Sequence, residues 1–159
     1  MTRSAAPSIQ PLARHRCEAI LARNHVGRIA YSRGARIEIE PIHYVYRDGW
    51  IYGRTSPGNK TEMLGPGWWS VAFEVDETEN LFRWRSVLVH GGFYPLPGTG
   101  TEADAAQRRT ALALLRRLIP QTLAAGDPVP DRTIVFGIAV QEVTGREATP
   151  AIGASSMRG

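Results

Sequence analysis

The spacing of apolar positions predicts one helix near the start of the chain and another in its last third. In the first, over residues 12–24, apolar side chains recur near helical spacing, and Pro11 suits the opening turn. The second, over residues 101–119, opens with Thr101, which can cap it, and with acidic residues that suit the positive end of the helix dipole. Its predicted core stripe consists of Leu112, Leu115 and Ile119.

Alternating and β-branched stretches predict six strands, over residues 28–32, 36–46, 50–54, 69–76, 84–96 and 133–143. Arg33-Gly34 and Asp48-Gly49 are tight-turn signals, and Gly91-Gly92 predicts a bend or a close backbone approach. Loops are expected over residues 77–83 and 120–130, and a short helix over 57–64. Because hairpins join most strands, the pattern favours a closed or partly closed antiparallel barrel over a parallel nucleotide-binding sheet.

Within the second predicted strand, alternation assigns side chains to two faces. One face carries His43 among apolar neighbours, namely Ile37, Ile39, Pro41 and Val45. We therefore expect His43 to be a buried, hydrogen-bonded core residue, although an imidazole there could also transfer protons. It is a candidate catalytic residue, although no residue is assigned as the catalyst.

Length and composition indicate one domain of ordinary size. Of the 159 residues, 11–150 form the predicted domain, between a flexible N-terminal arm (1–10) and a flexible C-terminal tail (151–159). No apolar run approaches the roughly 20 residues that span a bilayer, and no secretory signal is visible. A single cysteine excludes an internal disulfide and a multi-cysteine metal site. We expect a cytoplasmic protein.

Charge and histidine spacing exclude two classes of function. The net charge is +4, but the 19 basic residues are scattered among 15 acidic ones, so a nucleic-acid surface is not predicted. The four histidines show no metal-ligand spacing, so no metal site is predicted. Only one of the basic residues, Lys60, is a lysine, which suits a place that needs a compact charge.

The segment 53–61 carries the strongest chemical signal. It follows a predicted strand and opens a predicted helix, an arrangement that points backbone N–H groups at an anion. Arg54 and Lys60 add cations, and Thr55 and Ser56 add hydroxyl donors. A nucleotide-hydrolysing P-loop is excluded, because Asn59 stands where that motif needs lysine and the topology is antiparallel. These residues alone leave a phosphate site and a plain solvent-facing turn both open.

Several short motifs, in order along the chain, resemble one known family. They are LARNHVGRIA (21–30), PIHYVY (41–46), IYGRT (51–55), GNK (58–60), VAFEVD (71–76), WRSV (84–87) and VTGR (143–146). Their order and spacing resemble the pyridoxamine 5'-phosphate oxidase-like FMN-binding split barrels, in the branch that includes nitroimidazole-resistance proteins. The resemblance implies a mainly β fold, a six-stranded antiparallel split β-barrel with two or three flanking helices.

The same resemblance implies a homodimer that binds FMN between its two chains, with a deazaflavin or FAD as alternatives. The cofactor phosphate would be held by Arg54, Thr55, Ser56 and Lys60. The isoalloxazine ring would lie beside Pro41, Ile42, His43 and Tyr44. The site would be closed from the partner chain by Trp84, Arg85 and Ser86.

The implied function is an FMN-dependent oxidoreductase that acts on a small planar or nitroaromatic substrate. The alternative is a non-catalytic protein that binds or senses a flavin or deazaflavin. The chain lacks the further arginines and the histidine that pyridoxamine-phosphate oxidase uses for its substrate phosphate. It also has Arg54 where some nitroimidazole-resistance relatives carry a histidine. The substrate and the electron donor are therefore left open.

Overall fold

The computed structural model describes residues 6–58 and 69–151, and within these ranges the chain forms two helices and seven strands. The helices are α1 (Arg14–Arg23) and α2 (Glu102–Leu118). The strands are β1 (Ser8–Pro11), β2 (Val26–Arg33), β3 (Arg36–Arg47), β4 (Trp50–Thr55), β5 (Trp69–Asn80), β6 (Arg83–Pro95) and β7 (Ile134–Thr149). The predicted mainly β, antiparallel class is confirmed.

Six of the strands close into a barrel, because the long strand β7 pairs on both sides. All pairings are antiparallel, and the strand order is β1-β7-β4-β3-β2-β5-β6, with β6 returning to β7. Strand β1 pairs with the last residues of β7, outside the ring of six. Residues 8–10, predicted as part of a flexible arm, are thus held in a strand.

The barrel interior is filled by large side chains from every side of the ring. Its largest fully buried members include Tyr44, Phe73, Phe93, Phe136 and Ile29. Helix α1 covers one end through Cys17, Ile20 and Leu21, and the buried Tyr44 hydroxyl donates to the Leu21 carbonyl at 2.7 Å. Two glycines permit close packing. A Cβ at Gly27 would lie 2.2 Å from the Phe73 ring, and one at Gly91 would lie 2.2 Å from the Ala139 carbonyl oxygen.

Helix α2 packs on the outside of β4 and β7, where it forms a second apolar cluster. A capping box between Thr101 and Asp104 fixes its start, as the sequence predicts. Its buried side chains are Ala111, Leu114 and Leu115. Of the three residues predicted to face the core, only Leu115 is therefore fully buried. The helix rotation is set by the barrel wall that it covers, which spacing along the helix alone does not reveal.

One predicted loop differs from the structure, and one predicted helix is not tested by it. The expected loop at 77–83 is wrong, because β5 continues to Asn80 and turns tightly into β6 at Arg83. The expected short helix at 57–64 lies almost wholly outside the described residues.

The predicted core face of β3 is wrong, and with it the expected burial of His43. Ile42 and Tyr44 point into the barrel, whereas His43 is exposed and Ile37 and Ile39 are 81% and 67% exposed. Successive side chains of a strand point to opposite faces. If one residue is assigned to the wrong face, every other residue of the strand is therefore misassigned as well. Tyr44 determines which face of β3 is buried, because its ring packs edge-on against Phe73 and its hydroxyl finds its hydrogen-bond acceptor within the fold.

Neither helix in the described ranges is long and apolar enough to cross a bilayer. The predicted cytoplasmic location stays a prediction.

Candidate functional site

A cleft opens where β4 ends, and we call it the β4-end cleft. Its volume is about 210 Å³. The lining residues come from β3, from the end of β4 and from the segment before β7: Glu40, Pro41, Ile42, Arg54, Thr55, Ser56, Pro57, Gly58 and Arg132. Five residues of the predicted cofactor set thereby meet in one place, namely Pro41, Ile42, Arg54, Thr55 and Ser56.

The guanidinium of Arg54 forms the floor of this cleft and is already paired. Arg54 Nη1 and Nη2 donate to the two carboxylate oxygens of Asp127 at 2.5 and 2.8 Å, and both side chains are about 5% exposed or less. The Asp127 oxygens also accept the backbone N–H groups of Leu123 and Val129. The Arg54 guanidinium, with help from these backbone donors, holds the pKa of Asp127 well below its usual range.

Arg132 is the second cation of the cleft. It lies two residues before β7, and the β4–β7 register pairs Thr55 with Ile134, which places Arg132 beside the end of β4. Its carbonyl accepts a long hydrogen bond of 3.4 Å from Arg54 Nη1. Arg132 is half-buried as a residue, and its guanidinium forms no hydrogen bond or ion pair with any residue in the described ranges. The sequence interpretation missed Arg132, because only the β4–β7 pairing brings it to the cleft.

One acid also faces this cleft. Glu40 accepts a hydrogen bond of 2.8 Å from the Tyr31 hydroxyl. Burial, together with that bond to Glu40, raises the pKa of Tyr31 to about 12, so the phenol stays a donor at neutral pH. A carboxylate in this position opposes a bound anion but can accept hydrogen bonds from sugar-like hydroxyl groups.

The donor set of the cleft fits a phosphate monoester that carries a polyhydroxylated chain. Arginine provides charge-assisted donors, Thr55 and Ser56 provide hydroxyls, and Glu40 provides an acceptor. The volume suits a phosphate-sized group and lies below the roughly 300–1,000 Å³ typical of whole drug-sized ligands. A larger ligand must therefore extend beyond this cleft.

A larger and more apolar depression, the β6–β7 groove, measures about 720 Å³. It is lined by residues of β1, β6 and β7: Ile9, Gln10, Pro11, Trp84, Ser86, Leu88, Thr144, Gly145 and Arg146. The groove contains Trp84 and Ser86 of the predicted site. Arg85, between them, lies on the opposite side of the strand, where it donates to Glu147 at 2.8 Å and contacts Glu77 at 3.3 Å.

Both depressions include residues that point outward from the barrel. One row of directly paired residues runs from the cleft to the groove, namely Pro41, Arg28, Glu74, Leu88 and Thr144. Three strand spacings separate Pro41 from Leu88, which corresponds to about 14 Å along the sheet. Arg28 in this row pairs with Glu74 and Asp76.

The remaining predicted site residues lie in different surroundings. Tyr44 is fully buried and is not part of the cleft lining. The exposed His43 follows Ile42 on the same strand, but its side chain is not part of either lining. Lys60 lies outside the described residues, and its role stays a prediction. Among the described residues no group of three His, Cys, Asp or Glu side chains could hold a metal ion.

Comparisons with known proteins agree with this architecture. The family model described as pyridoxamine 5'-phosphate oxidase matches residues 13–147. An uncharacterized protein of Rhizobium meliloti is 27% identical over 148 residues, which cover 88% of this chain and 95% of that protein.

Two solved structures are similar over most of the chain. A FAD-binding protein from Mesorhizobium loti has a TM-score of 0.68 and 28% identity, with 89% of this chain and 99% of that chain covered. A proposed 5-nitroimidazole antibiotic resistance protein from Bacteroides thetaiotaomicron has a TM-score of 0.67 and 17% identity, with 93% and 94% covered. The second similarity concerns the fold alone.

Proposed function

Because the chain belongs to the pyridoxamine 5'-phosphate oxidase family, we propose that it binds a flavin, with the phosphate in the β4-end cleft. The observation that carries this proposal is the convergence in that cleft of two arginines, two hydroxyl side chains and one acid. The similar Mesorhizobium loti protein is a FAD-binding protein, which supports a flavin. We propose FMN as the cofactor, with FAD and a deazaflavin as the alternatives.

We propose further that two copies of the chain share each cofactor. The β4-end cleft alone is too small for a tricyclic ring, and the larger β6–β7 groove also opens on the outside of the barrel. The outside of β2, β3 and β6 also exposes large apolar side chains, which water disfavours and a second copy would cover: Val26, Ile37, Ile39 and Leu88. In such a dimer, Trp84 and Ser86 of one protomer would close the cleft of its partner.

In this proposal the protein binds and orients the cofactor. A bound flavin supplies hydride and electron transfer, and a small planar or nitroaromatic substrate is the proposed acceptor. Pro41 and Ile42 would border the ring, and Thr55 and Ser56 would donate to the phosphate. Glu40 would accept from the hydroxyl groups of the ribityl chain.

One observation favours the alternative, a non-catalytic flavin binder or sensor. None of the described residues that line the cleft or the groove is a histidine, a cysteine or a lysine. The described residues of these linings therefore offer no imidazole, thiol or amine for proton exchange near neutral pH. Redox chemistry in this protein would depend on the flavin and on the acceptor.

Titration of the purified protein with FMN, FAD and riboflavin, followed by flavin absorbance and fluorescence, tests the proposal. We expect FMN to bind more tightly than riboflavin, because only FMN has the phosphate. The predicted role of Lys60 is tested by Lys60→Ala, which should weaken FMN binding more than riboflavin binding. Failure to bind FMN, FAD or a deazaflavin would refute flavin binding.

Sedimentation tests the site shared by two copies, and stopped-flow kinetics test the proposed oxidoreductase activity. A species of twice the chain mass is expected in sedimentation, and a monomer alone would contradict the shared site. Reoxidation of the reduced flavin by nitroaromatic acceptors, faster than that of free reduced flavin, would identify an oxidoreductase. Equal rates would favour the non-catalytic alternative.

A further inference from the structure

The two arginines of the β4-end cleft differ in how their donors are used. Arg54 is about 5% exposed, and three of its hydrogen bonds go to Asp127 and to the Arg132 carbonyl. The Asp127 carboxylate holds the guanidinium bidentately, through Nη1 and Nη2. To face a phosphate fully, Arg54 would have to leave a buried carboxylate without its partner, which is costly.

Asp127 organises the segment that leads into β7. Its carboxylate accepts the N–H groups of Leu123 and Val129, and a turn hydrogen bond then runs from Arg132 N to the Val129 carbonyl at 3.1 Å. Arg54 also donates directly to the Arg132 carbonyl. The Arg54–Asp127 pair therefore fixes the backbone of Arg132 next to the end of β4.

The side chain of Arg132, unlike that of Arg54, is available to a ligand in the cleft. It is half-buried, lines the cleft and has no partner among the described residues. We infer that Arg132 is the guanidinium that binds the cofactor phosphate, and that Arg54 is a positioning residue that acts through Asp127 and the Arg132 backbone. This inference rests on the proposed flavin site and changes which of its arginines makes the contact.

The test compares the dissociation constants of FMN and riboflavin in Arg132→Ala. Loss of a charge-assisted hydrogen bond should raise the FMN constant by about tenfold or more and leave the riboflavin constant unchanged. Arg132→Lys should recover part of the FMN affinity, because the charge is kept while the planar fork is lost. Arg109→Ala is the matched control, since Arg109 is a 64% exposed helix residue far along the chain from the cleft.

A double-variant cycle separates binding from positioning. In the background of Arg132→Ala, the further change Arg54→Gln should add no FMN-selective loss, because Arg54 acts through Arg132. An additional FMN-selective loss of similar size would show that Arg54 itself contacts the phosphate and would overturn the inference. If Arg54→Gln does not fold, the test rests on the ratio of FMN to riboflavin affinity in Arg132→Ala. An equal loss of affinity for both ligands would then overturn the inference.

Inorganic phosphate, titrated by nuclear magnetic resonance, distinguishes this inference from the flavin proposal. A wild-type protein that binds phosphate through Arg132 but binds no flavin would refute the flavin site and keep the anion assignment. A protein that binds neither phosphate nor flavin would overturn both.

Discussion

Two groups of arginine–carboxylate pairs lie in different parts of the barrel. Beneath the β4-end cleft, Arg54 and Asp127 form a single bidentate pair with side chains 5% and 4% exposed. Beside α1, a network at the surface joins Arg16, Arg23, Glu77, Arg85 and Glu147, and within it the pair of Arg23 and Glu77 is 52% and 22% exposed. The bonds have similar lengths but different surroundings.

The difference teaches that burial, and not bond length, decides what such a pair does. In the surface network, water and salt screen each charge, so any one bond can be lost at little cost. Beneath the cleft, loss of either charge would leave the other buried without a partner. The loop before β7 would also lose its anchor, because its backbone N–H groups donate to the paired carboxylate. The buried pair can therefore position a binding residue, whereas the network stabilises the α1 end only weakly.

The largest expected effect is on stability when the buried pair is broken. Arg54→Met leaves the Asp127 carboxylate buried without a cation, and we expect the free energy of unfolding to fall by about 3–5 kcal/mol. The matched surface change, Arg23→Met, should cost at most about 1 kcal/mol. Urea unfolding monitored by tryptophan fluorescence measures both. Equal losses for the two variants would remove the distinction between the two regions.

An intermediate effect is expected from acid. The native pKa of Asp127 is depressed, so its contribution is present above the unfolded value of about 3.9 and is lost as the pH falls through the native pKa. Arg54→Met removes the largest cause of this depression, so the pKa of Asp127 should lie closer to its ordinary value and the variant should lose less stability in acid than the wild type does. The stability difference between wild type and Arg54→Met should therefore shrink as the pH falls below about 4. A difference that is constant between neutral pH and acid would contradict this account.

The smallest expected effect concerns the surface network. Hydrogen bonds from Arg23 and Asn24 lower the pKa of Glu77 to about 2, so its contribution is also lost in acid as the pH falls toward that value. Glu77→Gln should reduce the free energy of unfolding by at most about 1 kcal/mol at neutral pH. At about 1 M ionic strength, where the Debye length is roughly 3 Å, most of this difference should disappear. A difference that resists salt would mean that the network behaves as a buried one.

Much of the fold is predictable from local patterns. The turn at Asp48-Gly49 is one example, since both residues adopt positive φ in the structure, as a two-residue hairpin requires. The capping box at Thr101 and the close approach at Gly91 are others. Each depends on a few neighbouring residues whose chemistry the sequence displays directly.

The site is only partly predictable, for a physical reason that three residues illustrate. The face of β3 on which His43 lies depends on which neighbour fills the barrel, and Tyr44 does so. Arg54 is visible as a cation in the sequence, but its partner Asp127 is 73 residues away in a loop without a motif. Arg132 carries no local signal at all.

The sequence by itself determined six of the seven described strands, the Asp48-Gly49 turn, the cap of α2 and a cationic, hydroxyl-rich segment at the end of β4, because these features depend on local spacing and side-chain chemistry. Only the tertiary structure decided that Arg54 pairs with the buried carboxylate of Asp127 and that Arg132 faces the cleft. That choice depends on β7 pairing with both β4 and β6, a long-range arrangement set by barrel closure.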